Sequence, residues 1–144
     1  GNAYEAEYLL NAGYKNVYII DIAKEPLDDF KNRNPNFPSK QILLGDFFKH
    51  QGKYDIIVEQ TFFCAINPEM RPVYVAKCHE ILNNTGKIIG VLFNRDFDGG
   101  PPFGGNIKEY ESLFKTKFSE VRFEHSHHSI KPRKESEVEF FCEK

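Results

Sequence analysis

The stretch YDIIVEQTFFCAINPEMR, residues 54–71, decides the fold of this 144-residue chain. It begins with an apolar, β-branched run at 56–58, which is typical of a strand buried on both faces. The run stops at Glu59, and the pair Asn67-Pro68 is a common start for the next helix. The stretch therefore predicts a buried strand, a polar loop at its carboxyl end and then a helix.

The polar loop after this strand is the first candidate site. In open parallel sheets, ligands bind outside the carboxyl ends of the strands, where loops and helix N-termini offer hydrogen-bonding groups that the sheet does not use. Residues 59–63 occupy that position. The alternative is that Glu59 is a solvated strand end and that Phe62 and Phe63 belong to the core.

Helix-like and strand-like segments alternate along the rest of the chain. The predicted helices are 3–12, 25–32, 68–82 and 107–115. The predicted strands are 16–22, 40–44, 55–58, 87–93, 118–125 and 137–142. This order indicates an α/β fold with a doubly wound, mostly parallel sheet and an antiparallel edge strand, in which the basic turn 131–134 joins the last two strands.

Length and composition limit the classes of protein that fit. We expect residues 1–144 to form a single domain, since no repeat, linker or low-complexity tract interrupts them. A net charge of −2 with 28% charged residues gives no reason to expect disorder, a membrane span or general nucleic-acid binding. The three cysteines have an odd count and no CxxC spacing, which favours free thiols in the cytoplasm.

Acidic residues follow three of the predicted strands. In nucleotide-binding α/β folds, an acid about 20 residues after a glycine-rich turn accepts hydrogen bonds from ribose hydroxyls, and Asp21 stands at that distance from Gly1. Asp46 could accept from an exocyclic amine while Phe47 packs on a base, although capping a local turn is an equal alternative. We expect Asp21, Asp46 and Glu59 to gather along one edge of the sheet.

Three further features of the sequence bear on its chemistry. The loop NRDFDGGPPFGGN, residues 94–106, follows a predicted strand, and long loops there are usually functional. His125 and His127 would share one strand face, but no carboxylate or cysteine at ligand spacing accompanies them, so we expect no metal site. Cys64 has no assignable activating partner. We assign no catalytic residue.

Two motifs carry a family resemblance. FFCAINPEMRP at 62–72 and GGPPF at 99–103 closely resemble the thiopurine S-methyltransferase family, and within it the plant halide and thiol methyltransferases. The similarity in order and spacing covers nearly the whole chain. Gly1 resembles the last glycine of that family's GCG turn, which implies that the family's N-terminal segment and first strand lie upstream of this sequence.

The resemblance implies a class I fold that binds S-adenosyl-L-methionine and methylates a thiol, a thiopurine-like compound or a halide. The implied cofactor-binding residues are Gly1, Asp21, Ile22, Gly45, Asp46, Phe47, Glu59, Gln60 and Thr61. The implied acceptor-binding residues are Phe62, Phe63, Pro101, Pro102 and Phe103. Some family members carry arginine where this chain has Gln60. A soft nucleophile needs little general-base help in an in-line displacement, which agrees with the absence of an assignable dyad.

Two other classes of protein stay open. A nicotinamide-dependent oxidoreductase would share the acid after the second strand of its fold, and a non-catalytic domain could be built on a methyltransferase fold. For the methyltransferase we expect a monomer with a small-molecule acceptor and neither a nucleic-acid nor a membrane partner.

Overall fold

The computed structural model describes all 144 residues, and its contacts separate two compact units, Gly1–Gln51 and Gly52–Lys144. We call them the N-terminal unit and the C-terminal unit, and each is described by itself. The expectation of one domain over residues 1–144 stays a prediction, as does the strand expected upstream of Gly1.

The N-terminal unit contains two helices and a two-stranded parallel sheet. Its elements in chain order are α1 (Tyr4–Asn11), β1 (Ile19–Asp21), α2 (Lys24–Arg33) and β2 (Ile42–Leu44). Both helices were predicted, but both strands are shorter than the segments 16–22 and 40–44. The reason is that residues 39–41 form a 3-10 turn, so the ladder begins only where Ile19 pairs with Ile42.

A small aromatic core holds this unit together. Phe30 and Phe37 are buried with their rings edge to face, and Ala6 of α1 packs on them. Edge-to-face pairs at this spacing contribute roughly 0.5–1.5 kcal/mol beyond the burial of their area. The core lies under β1 and β2, and it leaves the carboxyl ends of both strands at the surface.

The C-terminal unit contains a four-stranded sheet and two helices. Its elements are β3 (Tyr54–Gln60), α3 (Arg71–Ile81), β4 (Leu82–Phe93), α4 (Ile107–Phe114), β5 (Glu120–His125) and β6 (Glu137–Glu143). The strand order is β3-β4-β6-β5, with β3 parallel to β4 and β6 antiparallel to both of its neighbours. The α/β fold class is confirmed. The reversed strand is the second strand from the edge, not the edge strand, because β6 returns between β4 and β5.

The expected burial of the deciding strand on both faces is wrong for these 144 residues. Ile56 and Val58 are 56% and 44% exposed. Both helices of the unit pack on the opposite face, where Tyr74 of α3 bonds Glu59 and Phe114 of α4 packs on Phe140 of β6. A continuous apolar run indicates a strand, but it does not indicate which faces are covered.

Side-chain caps fix where the chain leaves the sheet and where its helices begin. The Asn67 side chain accepts from the backbone N–H of Glu69 at 3.0 Å, and Asn106 does the same for Glu109 at the start of α4. The predicted helix 68–82 is a 3-10 turn followed by α3, and β4 begins at once at Leu82. None of the helices is both long and apolar enough to cross a membrane.

Candidate cofactor and acceptor site

A buried carboxylate shapes the carboxyl end of β3. Glu59 is only 4% exposed, and its Oε1 accepts from the backbone N–H groups of Phe62 and Phe63, both at 2.9 Å. Its Oε2 accepts from the hydroxyl of Tyr74 at 2.5 Å. Burial raises the pKa of Tyr74 well above its usual value, so the phenol keeps the proton that it donates. Glu59 is thus not a solvated strand end. Its buried carboxylate holds the turn that follows β3.

The turn that Glu59 holds presents two polar residues to solvent. Thr61 has φ of +67°, a left-handed conformation that is strained for a β-branched residue. The thiol of Cys64 donates to the Thr61 carbonyl oxygen at 3.3 Å and closes the turn. Gln60 and Thr61 are exposed at the strand end, whereas Phe63 points into the core and Phe62 is partly exposed.

The diproline loop, residues 99–106, is joined to this turn. The backbone N–H of Phe103 donates to the Cys64 carbonyl oxygen at 2.7 Å. Pro101 and Pro102 are exposed and Phe103 is half-buried. The two motifs that carry the family resemblance therefore meet in the folded C-terminal unit, although they are distant in the sequence.

A small pocket opens where β3 and β4 end. It is lined by Gln60, Thr61, Cys64, Val91, Leu92, Phe93, Arg133 and Glu137. Arg133 donates from one terminal nitrogen to the buried carboxylate of Glu137 at 3.3 Å, and its guanidinium lies 5.3 Å from the centroid of the Phe93 ring. Burial raises the pKa of the Cys64 thiol, and the Glu59 carboxylate raises it further, so this thiol stays protonated at neutral pH.

The sequence did not single out Arg133 or Glu137 as site residues. Arg133 stands in a short basic turn, a pattern that is typical of a solvated connection. The sequence feature that could have identified them is their spacing. Glu137 follows Arg133 by four residues and begins an apolar strand, where a buried acid needs a charged partner.

In the N-terminal unit, two carboxylates stand at the ends of neighbouring parallel strands. The Oδ1 of Asp21 accepts from the backbone N–H of Ala23 at 2.9 Å, and its Oδ2 accepts from the Gly1 nitrogen. The Oδ1 of Asp46 accepts from the backbone N–H of Phe48 at 2.9 Å, so this carboxylate caps a local turn, as the alternative prediction for it expected. The apolar side chains of Ile22 and Leu44 are exposed beside them.

This arrangement has the chemistry that a nucleoside requires. Carboxylate oxygens accept from ribose hydroxyls or an exocyclic amine, and exposed apolar side chains offer a surface for a flat base. An open depression in the same unit is lined in part by Ile20, Leu44, Gly45 and Asp46. The residues present therefore fit the adenosyl part of S-adenosyl-L-methionine. The expected gathering of Asp21, Asp46 and Glu59 along one edge of the sheet stays a prediction.

His125, His127 and His128 do not line the pocket at the ends of β3 and β4. The Nδ1 of His128 is 3.0 Å from Oε1 of Glu139, and both side chains are exposed. No group of three or more His, Cys, Asp or Glu side chains lies close enough together to hold a metal ion.

Comparison with solved structures defines the class of fold. The fold is similar to that of 1,6-didemethyltoxoflavin-N1-methyltransferase from Burkholderia thailandensis, solved with S-adenosylhomocysteine bound, at a TM-score of 0.77 and 14% identity over 100% of this chain and 67% of that one. A TehB-like SAM-dependent methyltransferase from Corynebacterium glutamicum gives a TM-score of 0.72 and 17% identity over 99% and 74%. The fold is that of class I methyltransferases.

Sequence comparison gives the family. The thiopurine S-methyltransferase family model matches residues 1–144, so the chain belongs to that family and the resemblance is confirmed. Thiocyanate methyltransferase 1 of Brassica oleracea is 36% identical over 128 residues, which are 84% of this chain and 57% of that protein. Thiopurine S-methyltransferase of Vibrio campbellii is 37% identical over 82 residues, 55% of this chain and 38% of that protein. The chain thus spans little more than half the length of its Brassica relative.

Proposed function

We propose that the protein is an S-adenosyl-L-methionine-dependent methyltransferase that moves a methyl group to a small soft nucleophile, namely a thiol, a thiopurine-like compound or a halide. The observation that carries this proposal is the pocket at the ends of β3 and β4. It combines apolar walls from β4 with the guanidinium of Arg133. A cation beside apolar surface suits a polarisable anion.

The residues proposed to hold the cofactor are the ones that the family resemblance implies. Asp21 would accept from the ribose, and Gly45, Asp46 and Phe47 would surround the adenine, with Gly1 and Ile22 beside them. Gln60 and Thr61 would lie at the methionine end. Glu59 would act through the turn that it holds, since its carboxylate is buried and bonded within the protein. When bound, the cofactor supplies an electrophilic methyl group.

The chain's own groups would do the rest by binding and orientation. Arg133 uses one terminal nitrogen for Glu137 and keeps further N–H groups for an anionic acceptor. Its charge would also lower the pKa of a bound thiol and favour the thiolate. Phe62 and the diproline loop, residues Pro101, Pro102 and Phe103, would border the acceptor and exclude water, and the buried Phe63 would support them from behind. No general base is needed for such a nucleophile.

The wider setting follows from the same reasoning. We infer a cytoplasmic monomer with a small-molecule acceptor and no nucleic-acid or membrane partner. The three free cysteines are buried, and free thiols are usual in reducing compartments. Family membership disfavours the nicotinamide-dependent oxidoreductase, and a non-catalytic domain is an outcome of the test below.

The test has a binding arm and a transfer arm. Calorimetry with S-adenosylhomocysteine and with NAD should give heat of binding only for the first. Transfer to thiocyanate, iodide, hydrosulfide and thiophenol is then measured by quantifying the methylated product. Cofactor binding without transfer to any acceptor would favour the non-catalytic domain, and binding of NAD alone would favour the oxidoreductase.

A matched pair of variants locates the acceptor. Arg133→Gln should raise the acceptor KM at least tenfold, since it removes the charge from the pocket. Arg122→Gln is the control, because Arg122 also pairs with a glutamate and lies over a phenylalanine ring, yet it does not line the pocket. Equal effects of the two substitutions would count against the assigned pocket.

A further inference from the structure

Arg71, the first residue of α3, is a buried cation whose contacts reach three parts of the C-terminal unit. It is 3% exposed. One terminal nitrogen donates to Oε1 of Glu109 at 2.9 Å, and the other donates to the carbonyl oxygen of Gly104 at 2.8 Å. Its guanidinium carbon lies 4.8 Å from the ring centroid of Phe63 and 5.7 Å from that of Tyr110. One side chain therefore joins α3, the diproline loop and α4.

Stability alone does not account for a cation at this place. The Nε of Arg71 is buried without a hydrogen-bond partner, and an unmet buried donor lowers stability. Replacing a buried ion pair by well-packed apolar groups is often neutral or stabilising. A long apolar side chain between the rings of Phe63 and Tyr110 would keep the packing, but it could not hold the loop carbonyl.

The loop that Arg71 holds is connected to the walls of the pocket. Phe103 donates from its backbone N–H to the carbonyl oxygen of Cys64, a pocket residue. The hydroxyl of Tyr110 donates to the carbonyl oxygen of Phe93, another pocket residue, at 2.8 Å. The loop therefore contacts one wall of the pocket directly, and α4, which Arg71 also bonds through Glu109, contacts another.

We propose that Arg71 is a positioning residue that fixes the diproline loop against the turn at 61–64 and so sets how tightly the pocket holds its acceptor. The expected change in kinetics rests on the proposed function, whereas the expected change in loop structure rests only on the contacts of Arg71. Lysine cannot replace arginine in this role, because an ammonium group has no planar face for the Phe63 ring and cannot span Glu109 and Gly104 together.

The kinetic test uses Arg71→Met and Arg71→Lys in the complete protein. Both should raise the acceptor KM about 10- to 100-fold, the range expected for a misplaced site, while the cofactor Kd changes by less than about threefold. Guanidinium ion at low millimolar concentration should partly restore the KM of Arg71→Ala, and the same concentration of sodium chloride should not. The control is Arg33→Met, since Arg33 also bonds a glutamate and stacks on an aromatic ring but does not line the pocket.

A second readout does not depend on activity. Hydrogen exchange at the backbone N–H groups of Phe103 and Gly105 should accelerate at least tenfold in Arg71→Met, while exchange within β4 stays as in the wild type. A wild type without transfer would defeat the proposed function, and the exchange result would still decide the role of Arg71. Unchanged acceptor KM or unchanged Phe103 exchange in Arg71→Met would overturn the inference, as would wild-type kinetics in Arg71→Lys.

Discussion

Removal of the Glu59 carboxylate should destabilise the C-terminal unit more than any single hydrogen bond would suggest. Three donors converge on this group, namely the backbone N–H groups of Phe62 and Phe63 and the hydroxyl of Tyr74. Tyr74 is fully buried, so its hydroxyl cannot turn to water when its acceptor is lost. The left-handed Thr61 also depends on the turn that these bonds close.

The magnitude follows from the state of each donor after substitution. A buried donor left without an acceptor costs about 1–3 kcal/mol, and hydrogen bonds to a charged group contribute about 1.5–3 kcal/mol each. Since the three losses share one turn and are not additive, we expect Glu59→Ala to lower the free energy of unfolding by about 3–5 kcal/mol. Glu59→Gln keeps an acceptor for the two N–H groups, so about 1–2 kcal/mol is expected for it.

Urea denaturation at pH 7, with the m-value compared between variants, measures these differences. Tyr74→Phe should cost about 1–2 kcal/mol, and combining it with Glu59→Gln should cost less than the sum, since both changes remove the same bond. Glu124→Ala is the control, because Glu124 is an exposed strand glutamate. A loss below about 1 kcal/mol for Glu59→Ala would refute the structural role of this carboxylate.

Three other predictions concern the pH, the thiols and the sheet. Burial and three nearby lysines lower the pKa of His79 in the folded state, so the unfolded chain binds this proton more readily and the free energy of unfolding should fall as the pH drops below about 6.5. Denaturation at pH 7.5 and pH 5.5 measures this fall, which should disappear in His79→Gln. Cys142 is buried and burial raises the pKa of its thiol to about 12, so it should react with iodoacetamide only on unfolding. Labelling of Cys142 in the native protein would contradict its placement. A Cβ at Gly90 would stand 2.1 Å from the Glu59 carbonyl oxygen, so Gly90→Ala should lower the free energy of unfolding by about 2–4 kcal/mol in urea denaturation. Gly45→Ala is the control and should change it little, because a Cβ there meets nothing within 4 Å.

The sequence predicted the structural features that depend on residues close together in the chain. Helices α1, α2 and α4 follow from local periodicity and from residues such as Asn106, whose side chain bonds only three residues away. The apolar run 56–58 indicated a strand for the same reason. Its exposure was not predictable, because exposure depends on which face the helices cover.

The site was predicted less completely, because its contacts join distant positions. An acid at the end of β3 was visible in the sequence, but the bond from Tyr74 to Glu59 crosses 15 residues. The bonds of Arg71 to Glu109 and Gly104 cross 38 and 33 residues. No local pattern distinguishes such an arginine from a solvated one. Family resemblance, carried by two motifs, indicated the chemistry without these contacts.

Methyl transfer to thiocyanate, measured on the complete protein with S-adenosyl-L-methionine, tests the central claim most directly. The proposal predicts methyl thiocyanate and S-adenosylhomocysteine in a one-to-one ratio, with an acceptor KM that rises in Arg133→Gln and not in Arg122→Gln. Cofactor binding with no methylated product from thiocyanate, iodide, hydrosulfide or thiophenol would contradict it.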